Sequence, residues 1–86
     1  MADFRLTFAS SAFKELGRLD PPIAHRVMAS IEKLPHDPRP PGCVKLQGSE
    51  NRWRIRIGDW RVVYTVDDGA RIVDIVAVRH RSDVYR

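Results

Sequence analysis

A proline-rich segment at residues 35–42, PHDPRPPG, divides the chain into two parts with different hydrophobic periods. Before it, most apolar residues recur every three or four positions, as in helices, and after it apolar and polar residues alternate, as in strands. Proline lacks an amide hydrogen and interrupts helices and sheets, so the segment itself is predicted to be a connecting loop. Because neither part of an 86-residue chain could bury a core alone, we expect a single domain over residues 1–86.

One strand and two helices are predicted ahead of this loop. The stretch DFRLTF at residues 3–8 alternates in the manner of a half-buried strand. The helix SAFKELGRL can be capped by Ser10 or Ser11, and the helix IAHRVMASIEKL by Asp20, with Pro21 in its first turn. The apolar faces of the two helices are expected to meet a sheet, and they carry Phe13, Leu16, Ile23, Val27, Ile31 and Leu34.

A meander of strands is predicted after the loop. A short extended piece, CVKL, precedes the strands RWRIRI, RVVYTV and RIVDIVAVR, and the chain closes with the polar stretch HRSDVYR. GDW and DDGA have the composition of turns, so consecutive strands are expected to pair antiparallel. The predicted fold class is therefore α+β: an antiparallel sheet packed against an N-terminal helical hairpin, in the order β-α-α-β-β-β.

The strand RWRIRI alternates strictly between arginine and a large apolar residue. Successive side chains of a strand point to opposite faces, so the apolar residues are expected to face the helices and the arginines the other side. If the strand register places Arg61 and Arg79 beside Arg54 and Arg56, four arginines converge on one face. By parity along its own strand, Arg79 shares a face with Val73, Ile75 and Ala77.

The positive charge is concentrated in the same region. The net charge is +4, and between Cys43 and Val66 five basic residues (Lys45, Arg52, Arg54, Arg56 and Arg61) stand against Glu50 and Asp59. Arginine grips phosphate with a planar fork of donors, so this patch favours nucleic acid or an acidic protein as a partner. A solvated arginine face is the alternative, and the charge pattern leaves both open.

Cleavage of RNA by attack of a 2′-hydroxyl needs removal of the hydroxyl proton, stabilisation of the phosphorane charge and protonation of the leaving oxygen. Arginine can supply the second but is a poor base because it stays protonated. Candidates for the proton transfers are His80, Tyr85, Lys45 and Asp83. A structural role for His80 and an ion-pairing role for Asp83 remain open.

Other classes of function are disfavoured. The chain has no glycine-rich nucleotide motif and no His/Asp cluster at ligand spacing, so neither a cofactor nor a metal is expected. One cysteine, Cys43, excludes an internal disulfide. There is no apolar run long enough to span a membrane and no signal-peptide pattern at the N-terminus, so we expect a cytoplasmic protein without membrane contact.

Three segments of the chain carry four motifs in order: VKLQG, RWRIRIGDWRVVYTV and VAVRHRSDVYR. The motifs are KLxG, an aromatic-basic-apolar-basic strand, G-x-[WY]-R-[VL]-x-Y and a closing HRxDVY. In these motifs the chain resembles the RelE/ParE superfamily of toxins from type II toxin–antitoxin modules, and most of all its RelE branch. The resemblance covers nearly the whole chain. It implies an antiparallel sheet against two helices, similar to microbial ribonucleases.

The resemblance to RelE also implies a function and partners. RelE-type toxins enter the ribosomal A site and cut messenger RNA by 2′-hydroxyl attack, and a cognate RelB-like antitoxin holds them inactive in a hetero-oligomeric complex. The implied catalytic residues are Arg54, Arg56, Arg61, Arg79 and Tyr85, with Lys45, Arg52, His80 and Arg81 in RNA-binding or supporting roles. We therefore expect a metal-independent endoribonuclease with the ribosome and messenger RNA as partners.

One departure from the RelE pattern concerns the proton transfer. Well-known RelE members have lysines where this chain has Arg54 and Arg56, and an arginine hardly acts as a base. Another group, such as Tyr85 or His80, must then take the proton. Two alternatives stay open: a non-catalytic toxin similar to ParE, which poisons DNA gyrase, and an inactive paralogue that only binds an antitoxin.

Overall fold

The computed structural model describes residues 3–48 and 51–84 and contains a five-stranded sheet with two longer helices. The predicted α+β class is confirmed, and the predicted polar tail begins with a helical turn. The elements in chain order are β1 Arg5–Phe8, α1 Ser10–Gly17, α2 Pro21–Ile31, β2 Val44–Lys45, β3 Arg52–Ile57, β4 Trp60–Asp67, β5 Ile72–His80 and α3 Arg81–Val84. No helix in these two ranges is long and apolar enough to cross a membrane.

The strands lie in the order β1-β5-β4-β3-β2, so β4 is central and β5 lies between β4 and the edge strand β1. The meander from β2 to β5 is antiparallel, as predicted. β1 differs, because it pairs parallel to β5, with Phe8 opposite Ile75. Parallel neighbours cannot be joined by a hairpin, and here both helices and three strands separate the two in sequence.

The core lies between α2 and one face of the sheet. Val27, Ile31 and Leu34 are fully buried, which confirms the predicted stripe, although α2 ends at Ile31 and Leu34 lies in the turn that follows. Asp20 precedes Pro21 at the N-cap of α2, as predicted, but makes no side-chain capping bond. The sheet contributes Ile55, Val62, Tyr64, Val66, Val73, Ile75 and Val78 to this core.

α1 is oriented differently from the prediction. Ala12 is fully buried and Phe13 is 68% exposed. Ser10 and Ser11 do not cap the helix; Ala9 is the N-cap, and the Ser11 hydroxyl donates to the Val76 carbonyl at 3.3 Å. The reason is that β1 ends at Phe8, so the backbone of β5 beyond that point needs partners that α1 supplies.

The proline-rich loop is fastened to the sheet. The buried Tyr64 phenol donates to the Pro38 carbonyl at 2.7 Å. Arg39 makes two hydrogen bonds to Asp68, at 2.7 and 3.2 Å, and these hold the pKa of that carboxyl below its usual range. The guanidinium of Arg39 also lies 5.1 Å from the centre of the Trp53 ring. The loop therefore covers one end of the core.

Candidate functional site

Three arginines form a row across the face of the sheet that points away from α2, which we call the open face. Arg56 of β3 is paired with Arg61 of β4, and Arg61 is paired with Arg79 of β5. Directly opposite residues of an antiparallel pair have their Cβ atoms roughly 5 Å apart. The register thus brings together three of the four arginines expected to converge, and we call Arg56, Arg61 and Arg79 the arginine row.

The other arginines of β3 lie on the open face at increasing distance from the row. Arg54 is half-buried opposite Val63, one step along the strand. Arg52 is exposed opposite Thr65, two steps along. At about 6.7 Å for every second residue of a strand, Arg52 starts roughly 13 Å from Arg56. Arg54 therefore borders the arginine row, whereas Arg52 lies apart from it.

A β-bulge at Val76 determines the face that Arg79 occupies. β5 has one residue more than β4 between the pairs Tyr64–Ile75 and Val63–Ala77. Before the bulge Ile75 faces the core, and after it Arg79 faces the open side. The parity that groups Arg79 with Val73 and Ile75 is therefore wrong, because an extra residue reverses the alternation.

The turn between β3 and β4 fixes two members of the arginine row. Gly58 has φ +59°, which suits the first central position of a two-residue hairpin turn with glycine there. Its carbonyl oxygen accepts hydrogen bonds from Arg56 Nε at 3.1 Å and Arg61 Nη1 at 3.2 Å. Arg61 Nη1 also donates to the Trp60 carbonyl at 3.2 Å, and Arg61 is only 7% exposed. The two guanidinium groups therefore converge on one oxygen.

The third member is held from the opposite side. Arg79 Nε donates to Glu15 Oε2 of α1 at 2.8 Å, and Glu15 Oε1 accepts the backbone N–H of Val78 at 3.0 Å. The Arg79 side chain remains 49% exposed. The guanidinium is thus held through Nε while about half of the side chain stays accessible.

The chemistry open to this row is the binding of an anion. Like charges placed opposite each other in a sheet repel, and here the carbonyls of Gly58 and Trp60 and the Glu15 carboxylate offset that repulsion. Guanidinium groups stay protonated, so they can hold and stabilise negative charge but cannot remove a proton. Within the described ranges, no three His, Cys, Asp or Glu residues are grouped to hold a metal. A phosphate oxygen matches these donors in charge and geometry.

His80 lies next to the row in sequence but on the other face. It is paired with Trp60, and their rings meet edge to face with centroids 5.3 Å apart. His80 Nδ1 lies 3.0 Å from the Ser82 hydroxyl. A cleft of about 230 Å³ at this end of β5 is lined by both Arg79 and His80. His80 therefore reaches the surroundings of Arg79 around the end of the strand.

The remaining predicted site residues are more scattered. Arg81, in α3, donates its backbone N–H to the Asp59 carbonyl at 2.7 Å, which places it beside the β3–β4 turn. Lys45 of β2 is opposite Trp53, so it lies on the core-facing side, with its ammonium 6.0 Å from the Trp53 ring centre. Tyr85 lies outside the residues that the structure describes.

Two residues of the site were not predicted from the sequence. Gly58 could have been found, since a glycine–aspartate pair between two alternating strands is a recognised hairpin signal. Glu15 could not, because it is 64 positions from Arg79 and belongs to a helix whose orientation depends on the end of β1.

The sequence matches the model of a known family of proteins. The family described as "ParE toxin of type II toxin-antitoxin system, parDE" matches residues 6–85. The chain therefore belongs to this family, the RelE/ParE superfamily of toxins from type II toxin–antitoxin modules.

Its relatives place it closest to the RelE branch. A putative RelE-like toxin of Escherichia coli is 34% identical, over 95% of this chain and 90% of that protein. Toxin RelE of Mycobacterium tuberculosis is 32% identical, over 96% of this chain and 87% of that toxin. The archaeal RelE–RelB complex from Pyrococcus horikoshii OT3 contains a chain that superposes with a TM-score of 0.81 at 26% identity, covering 94% and 97% of the two chains. The protein is thus a RelE-type toxin.

Proposed function

We propose that this toxin is a ribosome-dependent endoribonuclease that cuts messenger RNA in the ribosomal A site and so inhibits translation. The arginine row carries the proposal, because the exposed Arg56 and Arg79 flank the nearly buried Arg61 on the open face, where an RNA backbone can lie. Membership of the RelE branch supports it, since this is the activity that the resemblance to RelE implies. The Gly58 carbonyl accepts hydrogen bonds from both Arg56 and Arg61 and so aligns the two side chains, an arrangement that separate solvated arginines do not have.

In the proposed reaction the 2′-oxygen attacks the adjacent phosphorus, the bond to the 5′-oxygen breaks, and a cyclic phosphate remains. Arg56 and Arg61 hold the scissile phosphate, and Arg54 contacts the neighbouring backbone. Arg79 stabilises the charge that develops on the phosphorane oxygens. The arginines provide the charge stabilisation that a metal ion would otherwise give, so the step is proposed as metal-independent and without a cofactor.

The proton transfers are assigned outside the row. Arginine stays protonated, so the 2′-hydroxyl proton must pass to another group, and a second group must protonate the leaving 5′-oxygen. Tyr85 and His80 are the proposed candidates. Arg81 supports them from α3, and Lys45 and Arg52 are assigned to more distant RNA contacts.

The proposed partners are the ribosome, messenger RNA and a RelB-like antitoxin. The Pyrococcus horikoshii relative was solved as a RelE–RelB complex, which supports a hetero-oligomeric toxin–antitoxin assembly here. With a net charge of only +4, binding to free RNA is expected to be weak and sensitive to salt, so the ribosome would supply much of the site. Because ribosomes and messenger RNA are found in the cytoplasm, the proposed activity is cytoplasmic.

The test is inducible expression in a bacterial host with primer extension on a defined transcript. The wild type is compared with Arg79→Ala and with Arg5→Ala, a matched control on the open face of β1, at the far end of the sheet. Cuts within translated codons are expected for the wild type and the control. They should vanish in Arg79→Ala and when translation initiation is blocked.

Other outcomes point to the two alternatives. Growth arrest with an uncut transcript, together with inhibition of gyrase supercoiling by the purified protein, would favour a non-catalytic toxin similar to ParE. Expression without growth arrest and without cuts would favour an inactive paralogue that only binds an antitoxin. Either result would overturn the nuclease proposal.

A further inference from the structure

The edge of β5 beyond β1 is completed by α1 rather than by a strand. β1 ends at Phe8, and the N–H of Ala9 makes the last strand-like bond, to the Ile75 carbonyl at 2.8 Å. After it the Ser11 hydroxyl donates to the Val76 carbonyl at 3.3 Å, and Glu15 Oε1 accepts the Val78 N–H at 3.0 Å. Glu15 thus takes the place of a strand carbonyl.

The same carboxylate reaches the arginine row with its second oxygen. Glu15 Oε2 accepts Arg79 Nε at 2.8 Å. Glu15 is the less exposed partner, with 23% of its side chain accessible against 49% for Arg79. One oxygen is therefore anchored on the backbone of Val78, and the other fixes the guanidinium of the very next residue. Because Glu15 contacts both Val78 and Arg79, the Arg79 guanidinium has little freedom to change its orientation.

We infer that Glu15 is a positioning residue for Arg79 in RNA cleavage, an inference that rests on the function proposed above. A guanidinium has five N–H donors, and Glu15 engages the one on Nε. The four donors on the terminal nitrogens then remain for the phosphorane oxygens. Without Glu15 the guanidinium could turn its Nε edge to the phosphate or swing away from it, and fewer encounters would be productive.

Glu15 also removes one net positive charge from the row. Loss of its carboxylate therefore leaves the row more cationic, and RNA binding is expected to be retained or tightened while catalysis falls. A purely structural role predicts something else: less folded protein, with the rate of the folded fraction unchanged. The saturated rate and the concentration for half-saturation separate these roles.

The matched variants come from the chain itself. Ser11→Ala removes another contact between α1 and the edge of β5 without touching Arg79. Glu15→Gln keeps an oxygen for the Val78 N–H but turns an NH₂ donor toward the donor of Arg79, so the second contact is lost. Glu15→Gln therefore tests the proposal even if Glu15→Ala fails to fold, and thermal unfolding monitors the folded fraction of each variant.

The experiment measures single-turnover cleavage of a defined message on programmed ribosomes, at saturating toxin, for these variants, Arg79→Ala and the double variants of Glu15 with Arg79→Ala. Glu15→Ala and Glu15→Gln are expected to lower the saturated rate by about tenfold with no rise in the half-saturating concentration. Ser11→Ala should keep the wild-type rate. In the Arg79→Ala background the Glu15 substitutions should have no further effect.

Three results would overturn the inference: a wild-type rate in Glu15→Gln, an equal loss in Ser11→Ala, or the full Glu15 effect in the absence of the Arg79 side chain. Failure of the proposed function gives a different pattern. There the wild type would not cut, or Arg79→Ala would cut at the wild-type rate, whatever the Glu15 variants do.

Discussion

Arg61 and Arg79 are directly opposite each other across β4 and β5, yet their guanidinium groups are held on opposite sides. Arg61 donates to the carbonyls of Gly58 and Trp60 at the β3–β4 turn, whereas Arg79 donates to Glu15 beside the far edge of β5. The two contacts separate like charges that the strand register brings together. An anion between them would therefore meet donors from both sides.

Replacement of Arg61 by lysine should reduce cleavage while the protein stays folded. Lysine keeps the charge but lacks the planar fork, so it cannot hold the turn carbonyls and a phosphate together. We expect a loss of about tenfold or more in the single-turnover rate, with a change in stability of about 1 kcal/mol from the altered hydrogen bonds. Cleavage assays and urea unfolding measure the two effects, and a wild-type rate would contradict a role for the fork.

Arg56→Ala should make RNA binding less sensitive to salt. Each phosphate contact on single-stranded nucleic acid contributes roughly 0.7 to the slope of log K against log salt concentration. Arg56→Ala is expected to reduce the slope by about that amount, measured with an RNA carrying a 2′-deoxy nucleotide at the cleavage site. Arg5→Ala, on the same face at the far end of the sheet, should leave the slope unchanged. Equal effects of the two substitutions would speak for diffuse charge rather than a site.

Gly58→Ala should destabilise the protein. Gly58 has φ +59°, which an alanine adopts at a cost of roughly 1–2 kcal/mol, and an added Cβ would lie 3.4 Å from Arg26 Nη2. In a domain of this size each kcal/mol lost from the free energy of unfolding lowers the melting temperature by about 4–8 °C. Gly17→Ala is the control: its Cβ would meet nothing within 4 Å, and it is expected to raise stability by about 0.4–1 kcal/mol. An unchanged melting temperature in Gly58→Ala would show that the turn is not strained.

Tyr64→Phe should make the free energy of unfolding fall less steeply at alkaline pH than it does in the wild type. Burial raises the pKa of Tyr64 above its ordinary value of about 10, so at higher pH the unfolded state loses this proton first and stability falls. Below that pH the substitution should cost about 1 kcal/mol, because the Pro38 carbonyl loses its donor. Urea unfolding of the wild type and Tyr64→Phe should show that the difference between their free energies of unfolding is smaller above pH 10 than at pH 7. A constant difference would mean that Tyr64 does not titrate with unfolding.

Much of the fold follows from short-range patterns in the sequence. The alternation of RWRIRI separates Ile55 in the core from Arg56 on the open face, and the spacing of α2 buries Val27 and Ile31. These predictions hold because each depends on a local period and on one buried face. The chain order of the meander also follows, since turn composition joins neighbouring strands.

The features that failed or were missed depend on contacts between distant segments. The bulge at Val76 has no local signal in the sequence. Strict alternation along β5 therefore wrongly predicts that Arg79 shares a face with Val73 and Ile75. Trp60 was expected in a turn and instead opens β4, paired with His80. The partnership of Glu15 with Arg79 requires β1 to end where it does. The sequence identifies the arginines of the row as candidate site residues, but it does not determine the strand register that brings them side by side.

The position of β5 between β1 and β4 has a consequence for how the protein folds. β5 follows all the other strands in sequence but is inserted between β1 and β4, and the bond from Thr7 to Asp74 joins residues 67 positions apart. Pairings of this kind form late and slow the folding of small domains. The arginine row itself forms within the consecutive strands β3, β4 and β5, whereas Glu15 reaches Arg79 across 64 positions. The row should therefore be assembled before Glu15 fixes the direction of Arg79.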